Sequence, residues 1–345
     1  MPRCCLLPIF FATLLLPVLA PAQTLQREDE IVASLAGGRV IVQVAKDNVI
    51  VFAAINQPVE QNSVPPRLLQ LDATHVGVLL GASEWQIPSA PTSVRLDRNY
   101  QSIVQSTNNQ HYAPYPGQEA PDLETIGIAF LEKLRPLVAQ LHHKLDFRPD
   151  EALFELVILG FGPDYGPEVW QVEYRIEQEQ VAARGEYWQT RILRPRFTQL
   201  YPPEGGKKAP HTLVEARYPP EDPSVLASRV VTQNTEPPLI ALIQAGDPAL
   251  TRLRSSDAKF AKVMDAIDHG QAQKASATDS ADFLRAALPL IAGGNKFFMG
   301  TMEEQHGFDW IVPPDEPVEK VEKTDKTDDK TRPPSAPSLR RKPTP

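Results

Sequence analysis

Residues 37 to 54 read GGRVIVQVAKDNVIVFAA, and two alternating apolar runs, VIVQVA and VIVFAA, meet there at Lys46-Asp47-Asn48. A short polar turn between two segments of period two is how a tight β-hairpin is written. Further strand-like runs follow at 67–72, 75–81, 153–160, 168–176 and 186–193, and a last short one, FDWIV, at 308–312. Several alternate in a way that gives each strand one buried face.

Between the strand groups, DLETIGIAFLEKLRPLVAQLHHKL (122–145) sets Ile126, Phe130, Leu134, Leu137, Leu141 and Leu145 on one helical stripe, with Asp122 as N-cap and a kink at Pro136. Ser256 is placed to cap a helix that ends at His269 before Gly270, and Asp279 to cap another that runs through DFLRAALPLIA to Gly293-Gly294. The order is strands, helix, strands, helices, strand. That is not the regular β-α alternation of a doubly wound sheet; it predicts an α+β fold of antiparallel sheets with helices packed outside.

Composition sets the limits on function. The first 22 residues, MPRCCLLPIFFATLLLPVLAPA, carry one positive charge at Arg3, then an apolar stretch, then small residues at Ala20 and Ala22, the layout of a secretory signal peptide. A membrane anchor is the competing reading, but Pro8 and Pro17 interrupt the run and a spanning helix needs about 20 apolar residues. Both cysteines, Cys4 and Cys5, fall inside that leader, so the exported chain is expected to hold no disulfide, no cysteine nucleophile and no thiolate metal site. Removing the leader takes away one Arg and no acid, which makes the net charge one unit more negative than -8. An acidic chain without a clustered basic surface argues against nucleic acid as a partner. The mature protein is expected to be secreted or periplasmic, with no membrane span.

Residues 314–345 mix acids, bases and prolines with almost no large apolar side chains, and are read as a disordered tail. Nine prolines crowd residues 195–238, inside a stretch of weak periodicity from about 177 to 250 that reads as a proline-rich insertion.

The pieces together resemble a known family. VIVQVAKDNVIVFAA followed by RLLQLDATHVGVLLGA (67–82) is similar to the opening of a proteasome subunit, LFELVILGFGPDYGPEVWQVEY (153–174) to its later hairpin, and a helix, a glycine pair and HGFDWIV (306–312) to its closing helix and strand. The resemblance covers roughly 39–176 and 278–313 and accounts only partly for 177–277. It implies the four-layer αββα sandwich of the N-terminal-nucleophile (Ntn) hydrolases over 39–313, preceded by a leader segment at 23–38.

What the resemblance implies for chemistry is a vacancy. In that family the first residue of the mature chain is the nucleophile, activated by its own free amine with a nearby lysine and acid. Counted from the Lys46-Asp47 turn, the nucleophile falls at Gly38, with Arg39 no better. The acid falls at Ala54 and the lysine at Arg67, whose guanidinium keeps its charge but cannot accept a proton. Cleavage before Ser34 would make a serine terminus, and signal cleavage after Gln23 would expose Thr24, but both lie several ångströms of chain away from the expected place.

Other chemistry has weaker support. His142-His143 are adjacent, and neighbours on a helix point about 100° apart, so they do not face one metal together. GFGPDYG (160–166) has the look of a phosphate loop, but a strand-like run follows it where that mechanism needs a helix. No GxSxG elbow occurs. No metal and no cofactor are expected. The leading expectation is an exported, non-catalytic protein that works by binding a protein or peptide or by assembling as a homo-oligomer. An amide-bond hydrolase activated by N-terminal trimming, with Ser34 as fallback nucleophile, is the alternative from a different class, and an unrelated α+β binding module is the third.

Overall fold

A computed structural model describes residues 33–57, 64–71, 75–86, 93–102 apart from 97 and 99, 123–139, 152–162, 166–181, 188–202, 213–218 and 238–314. The hairpin forms as expected: β2 (Gly38–Val44) and β3 (Ile50–Asn56) pair antiparallel from Val44↔Ile50 to Gly38↔Asn56. Asp47 and Asn48 both take positive φ, 62° each, which short polar side chains tolerate best. The Ala45 amide closes the turn on the Val49 carbonyl at 2.8 Å.

Around this hairpin the chain builds two mainly antiparallel sheets. The five-stranded one has the order β11-β2-β3-β12-β13, with β11 at Val214–Tyr218, β12 at Phe297–Glu303 and β13 at Gly307–Val312. The eight-stranded one runs β1-β5-β7-β8-β10, from β1 (Ala33–Ala36) through β5 (His75–Gln86), β7 (Ala152–Gly162) and β8 (Gly166–Gln180) to β10 (Arg196–Tyr201). β4 (Arg67–Gln70) and β6 (Ser93–Arg95) also pair with β5, and β9 (Trp188–Ile192) pairs with β8.

The layering follows from alternation. Val40, Val42, Val44, Phe52 and Ala54 of the five-stranded sheet share one buried cluster with Val76, Val78, Leu80, Val157, Leu159 and Val169 of the eight-stranded sheet, so the two sheets face each other. The opposite face of the hairpin, Ile41, Val51, Ala53 and Ile55, packs under α2 (Leu239–Ala245), α4 (Ala258–Asp268) and α5 (Ala277–Ile291), with Leu250 of α3 (Pro248–Ser256) joining the same cluster. The outer face of the larger sheet, including Phe154, Leu156, Ile158 and Tyr174, packs under α1 (Leu123–Val138) through Phe130, Leu131, Leu134 and Val138. The protein is thus an α+β structure in which helices cover the outer faces of two stacked sheets.

Several boundaries differ from expectation, each for a physical reason. Residues 33–36, assigned to a leader, form β1 and pair with β5. The span assigned to an insertion supplies β9, β10 and β11 to the two sheets and α2 to the helix layer, with Pro195 between β9 and β10 and Pro202 just past β10. RFTQLY and VEARY are too polar to advertise a buried strand, because each lies at the rim of its sheet. Asp257, not Ser256, caps α4 by accepting from the Lys259 amide, and Ser276, not Asp279, caps α5 by accepting from the Asp279 amide. α1 ends at Val138, with Pro136 in its last turn. The signal peptide, the tail beyond Pro314, His142 and His143 lie outside the described residues.

One buried ion pair fastens sheet to helix. The Arg39 guanidinium, fully buried, donates from Nε to Glu215 Oε2 at 2.8 Å, and Glu215 Oε1 accepts from the Leu239 amide at the start of α2 at 2.6 Å. Breaking such a pair from one side leaves a buried charge behind, so Glu215→Ala should lower unfolding free energy by about 3 kcal/mol. Arg39→Met combined with Glu215→Leu should recover much of that loss, as read by urea unfolding.

Candidate functional site

The place to test for chemistry is the start of β2. Gly38 pairs with Asn56 on one side and Tyr218 on the other. A Cβ built on Gly38 would lie 2.5 Å from Pro66 Cγ, 2.8 Å from the Ile55 carbonyl oxygen and 3.1 Å from Leu80 Cδ2. The pyrrolidine ring of Pro66, itself buried, therefore sits where a side chain of residue 38 would have to begin.

Nor does the chain end there. It runs back through Gly37, whose carbonyl accepts from the Gln57 amide at 3.1 Å, into Ala36, which is buried, pairs with Gly81 and bridges to Val64. Gly37 is where the backbone leaves the larger sheet and enters the smaller one. Ser34, the fallback nucleophile, is one residue of β1 and is paired with Glu84 inside the larger sheet. A terminus made at Ser34 would thus start on the sheet that Gly38 does not belong to. Thr24 lies outside the described residues.

The structure brings two of the three positions that the resemblance singles out to one face and sends the third elsewhere. Ala54 is fully buried between the sheets and pairs with Val40 and Phe298, on the same face as Gly38. Arg67 begins β4 opposite Leu79. It shares a face with Leu69, which packs toward α1, while Leu68 points into the space between the sheets. Arg67 therefore lies across the sheet from Gly38, and it is its neighbour Pro66 that reaches the glycine.

Sequence reasoning missed the polar groups that do occupy this face. The Asn56 Oδ1, next to Gly38 in the ladder, is buried and finds no hydrogen-bond partner among the described residues. Leu80, which abuts Gly38, pairs on its far side with Glu155 of β7. Glu155 is fully buried; its Oε2 accepts from Gln171 Nε2 at 2.7 Å, while Oε1 has no hydrogen-bond partner among the described residues. Desolvation pushes its carboxyl up to about 8, partly offset by the Gln171 hydrogen bond and reinforced by the nearby Glu173 charge. The sequence held a partial signal: ALFELVILG is an apolar strand run interrupted by one acid.

Of the groups next to Gly38, the acid leans toward its uncharged form and the phenol is already engaged. The Tyr218 hydroxyl donates to the Leu153 carbonyl at 3.5 Å, and Gly38 presents only backbone. Gly162 and Gly166 pair at the end of the β7–β8 ladder, with Gly166 at φ +80°, and it is a strand, not a helix, that begins at Gly166. Among the described residues no group of three His, Cys, Asp or Glu side chains is disposed to hold a metal ion, and no helix is long and apolar enough to cross a membrane. No family model matches the chain, and no curated protein matches it.

The closeness at Gly38 gives a direct test. Gly38→Ala should destabilise by about 1–3 kcal/mol, the usual cost of overpacking a filled core. Pro66→Ala in the same chain should recover part of that loss by removing Cγ, leaving the clash with the Ile55 carbonyl. Thermal unfolding of the single and double variants reads both.

Proposed function

We propose that this protein is an exported, non-catalytic relative of the proteasome-like Ntn hydrolases, built on their αββα sandwich and acting by binding or assembly. The observation that carries the reading is the packing at Gly38, where Pro66, the Ile55 carbonyl and Leu80 take up the space a nucleophilic side chain needs. Two stacked antiparallel sheets with helices outside each support the architecture. The resemblance in the order of the hairpins and the closing helix and strand supports the family, and the apolar leader at 1–22 supports export.

The trimmed-hydrolase alternative needs a free amine beside a hydroxyl. Cleavage at Ser34 would place that amine within β1, and cleavage at Gly38 would remove the β1 pairing with β5 and still yield no hydroxyl. An Arg at position 67 adds to the difficulty, because a guanidinium does not take up a proton at neutral pH.

Two measurements on the exported protein test the proposal together. Intact mass should report a chain that begins near Gln23 and keeps residues 33–36, and the same material should leave fluorogenic peptide and amide substrates unhydrolysed. Trimming to Ser34 or to Gly38, accompanied by turnover that Ser34→Ala abolishes, would replace the binding reading with a catalytic one. Light scattering on a sizing column should find a homo-oligomer under the assembly reading and a monomer under a pure binding role.

A further inference from the structure

We propose that the seam between the two sheets carries a proton-dependent latch at Glu155, closed while the carboxyl group holds its proton and loosened when it gives that proton to solvent. The inference is independent of the functional reading above. It starts from where β7 puts this side chain. Val157 and Leu159, on the same face of the same strand, pack between the sheets, and Leu80, the β5 partner of Glu155, does so too. The acid is therefore an inward residue of a seam lined mainly by apolar side chains, with no exposed surface.

The groups around it give the charged form little help. From β8, Gln171 donates one hydrogen bond to Oε2, Glu173, directly across from Glu155 in the ladder, adds a like charge, and Arg175, next on that side of the strand, stands opposite Ala152. From β10, Arg196 approaches Glu173 at 3.6 Å and is 61% exposed, so its charge is directed to Glu173 and to solvent. From β5 the neighbours are Leu80 and Val78, and across the seam from β11 comes Tyr218, whose hydroxyl is turned to the Leu153 carbonyl. Oε1 finds no donor among the described residues, which fits a neutral carboxyl better than a buried carboxylate.

The direction of the pH effect follows from linkage. Burial raises the folded carboxyl from its ordinary 4.5 to about 8, so the folded chain holds a proton that the unfolded chain releases. The contribution of Glu155 to stability is fully present below the ordinary value, declines as pH rises toward 8, and is constant above it. Ionisation strains the seam where β7 and β8 meet the smaller sheet, because a carboxylate there must either draw in water or push the sheets apart.

Thermal unfolding of wild type and Glu155→Gln across about pH 5 to 8 tests this. Gln keeps the shape and carries no titrating proton, so the wild-type melting temperature should fall with pH relative to the variant over that window. Parallel profiles would overturn the proposal. A second readout does not depend on the variant folding: in wild type labelled with carbon-13 at the glutamate carboxyl carbons, one resonance, absent from the Glu155→Gln spectrum, should titrate near 8. Glu173→Gln should lower that midpoint by removing the like charge. No high-midpoint resonance, or one that Glu173→Gln leaves in place, would also sink it.

Discussion

Everything in this protein turns on a hairpin that must be apolar on both faces. Every residue of β2 and all but the last of β3 are buried, because their even-numbered side chains fill the seam against the larger sheet while their odd-numbered ones meet the helices. A hairpin with one polar face would leave either the helices or the second sheet without a surface to cover. The two polar exceptions on the helix side are both engaged. Arg39 pairs with Glu215, and Gln43 donates to Ser280 Oγ at 2.8 Å and lies 3.3 Å from the Ala272 carbonyl, tying the strand to α5 and the turn before it.

That same pressure explains which elements could be read from the amino-acid sequence. β2, β3, β5, β7 and β8 are central strands, and their Val, Ile and Leu runs carry the period of two or an unbroken apolar stretch. α1 was legible through Phe130 and Leu134, and α5 through the run DFLRAALPLIA ahead of Gly293-Gly294. What escaped was the periphery. β1, β6, β10 and β11 are short or lie at sheet margins, where one neighbour and partial exposure allow residues such as Arg196, Gln199 and Glu215. β12 was hidden for another reason: FFMGTME contains Gly300, which is needed because the ring of Phe308 lies 2.4 Å from where its Cβ would be.

The geometry around Gly38 was illegible in the sequence. Counting from the turn located Gly38 and Ala54, and pairing then showed that they share a face. No count could show that Pro66 fills the space beside the glycine, or that Arg67 turns to the other side of its sheet, since both depend on the register of β4 against β5. Glu155 was overlooked because a single acid in an apolar strand reads as an outward residue until the strand is known to be covered on both sides.

The passage of the backbone through Gly37 has a mechanical consequence. Ala36 belongs to one sheet and Gly38 to the other, so a single peptide segment works as a covalent stitch across the sandwich. Neither layer can peel away without dragging on its counterpart through a tether too short to stretch. Loss of one sheet thereby becomes loss of both, and the two halves are bound into one cooperative unit of unfolding.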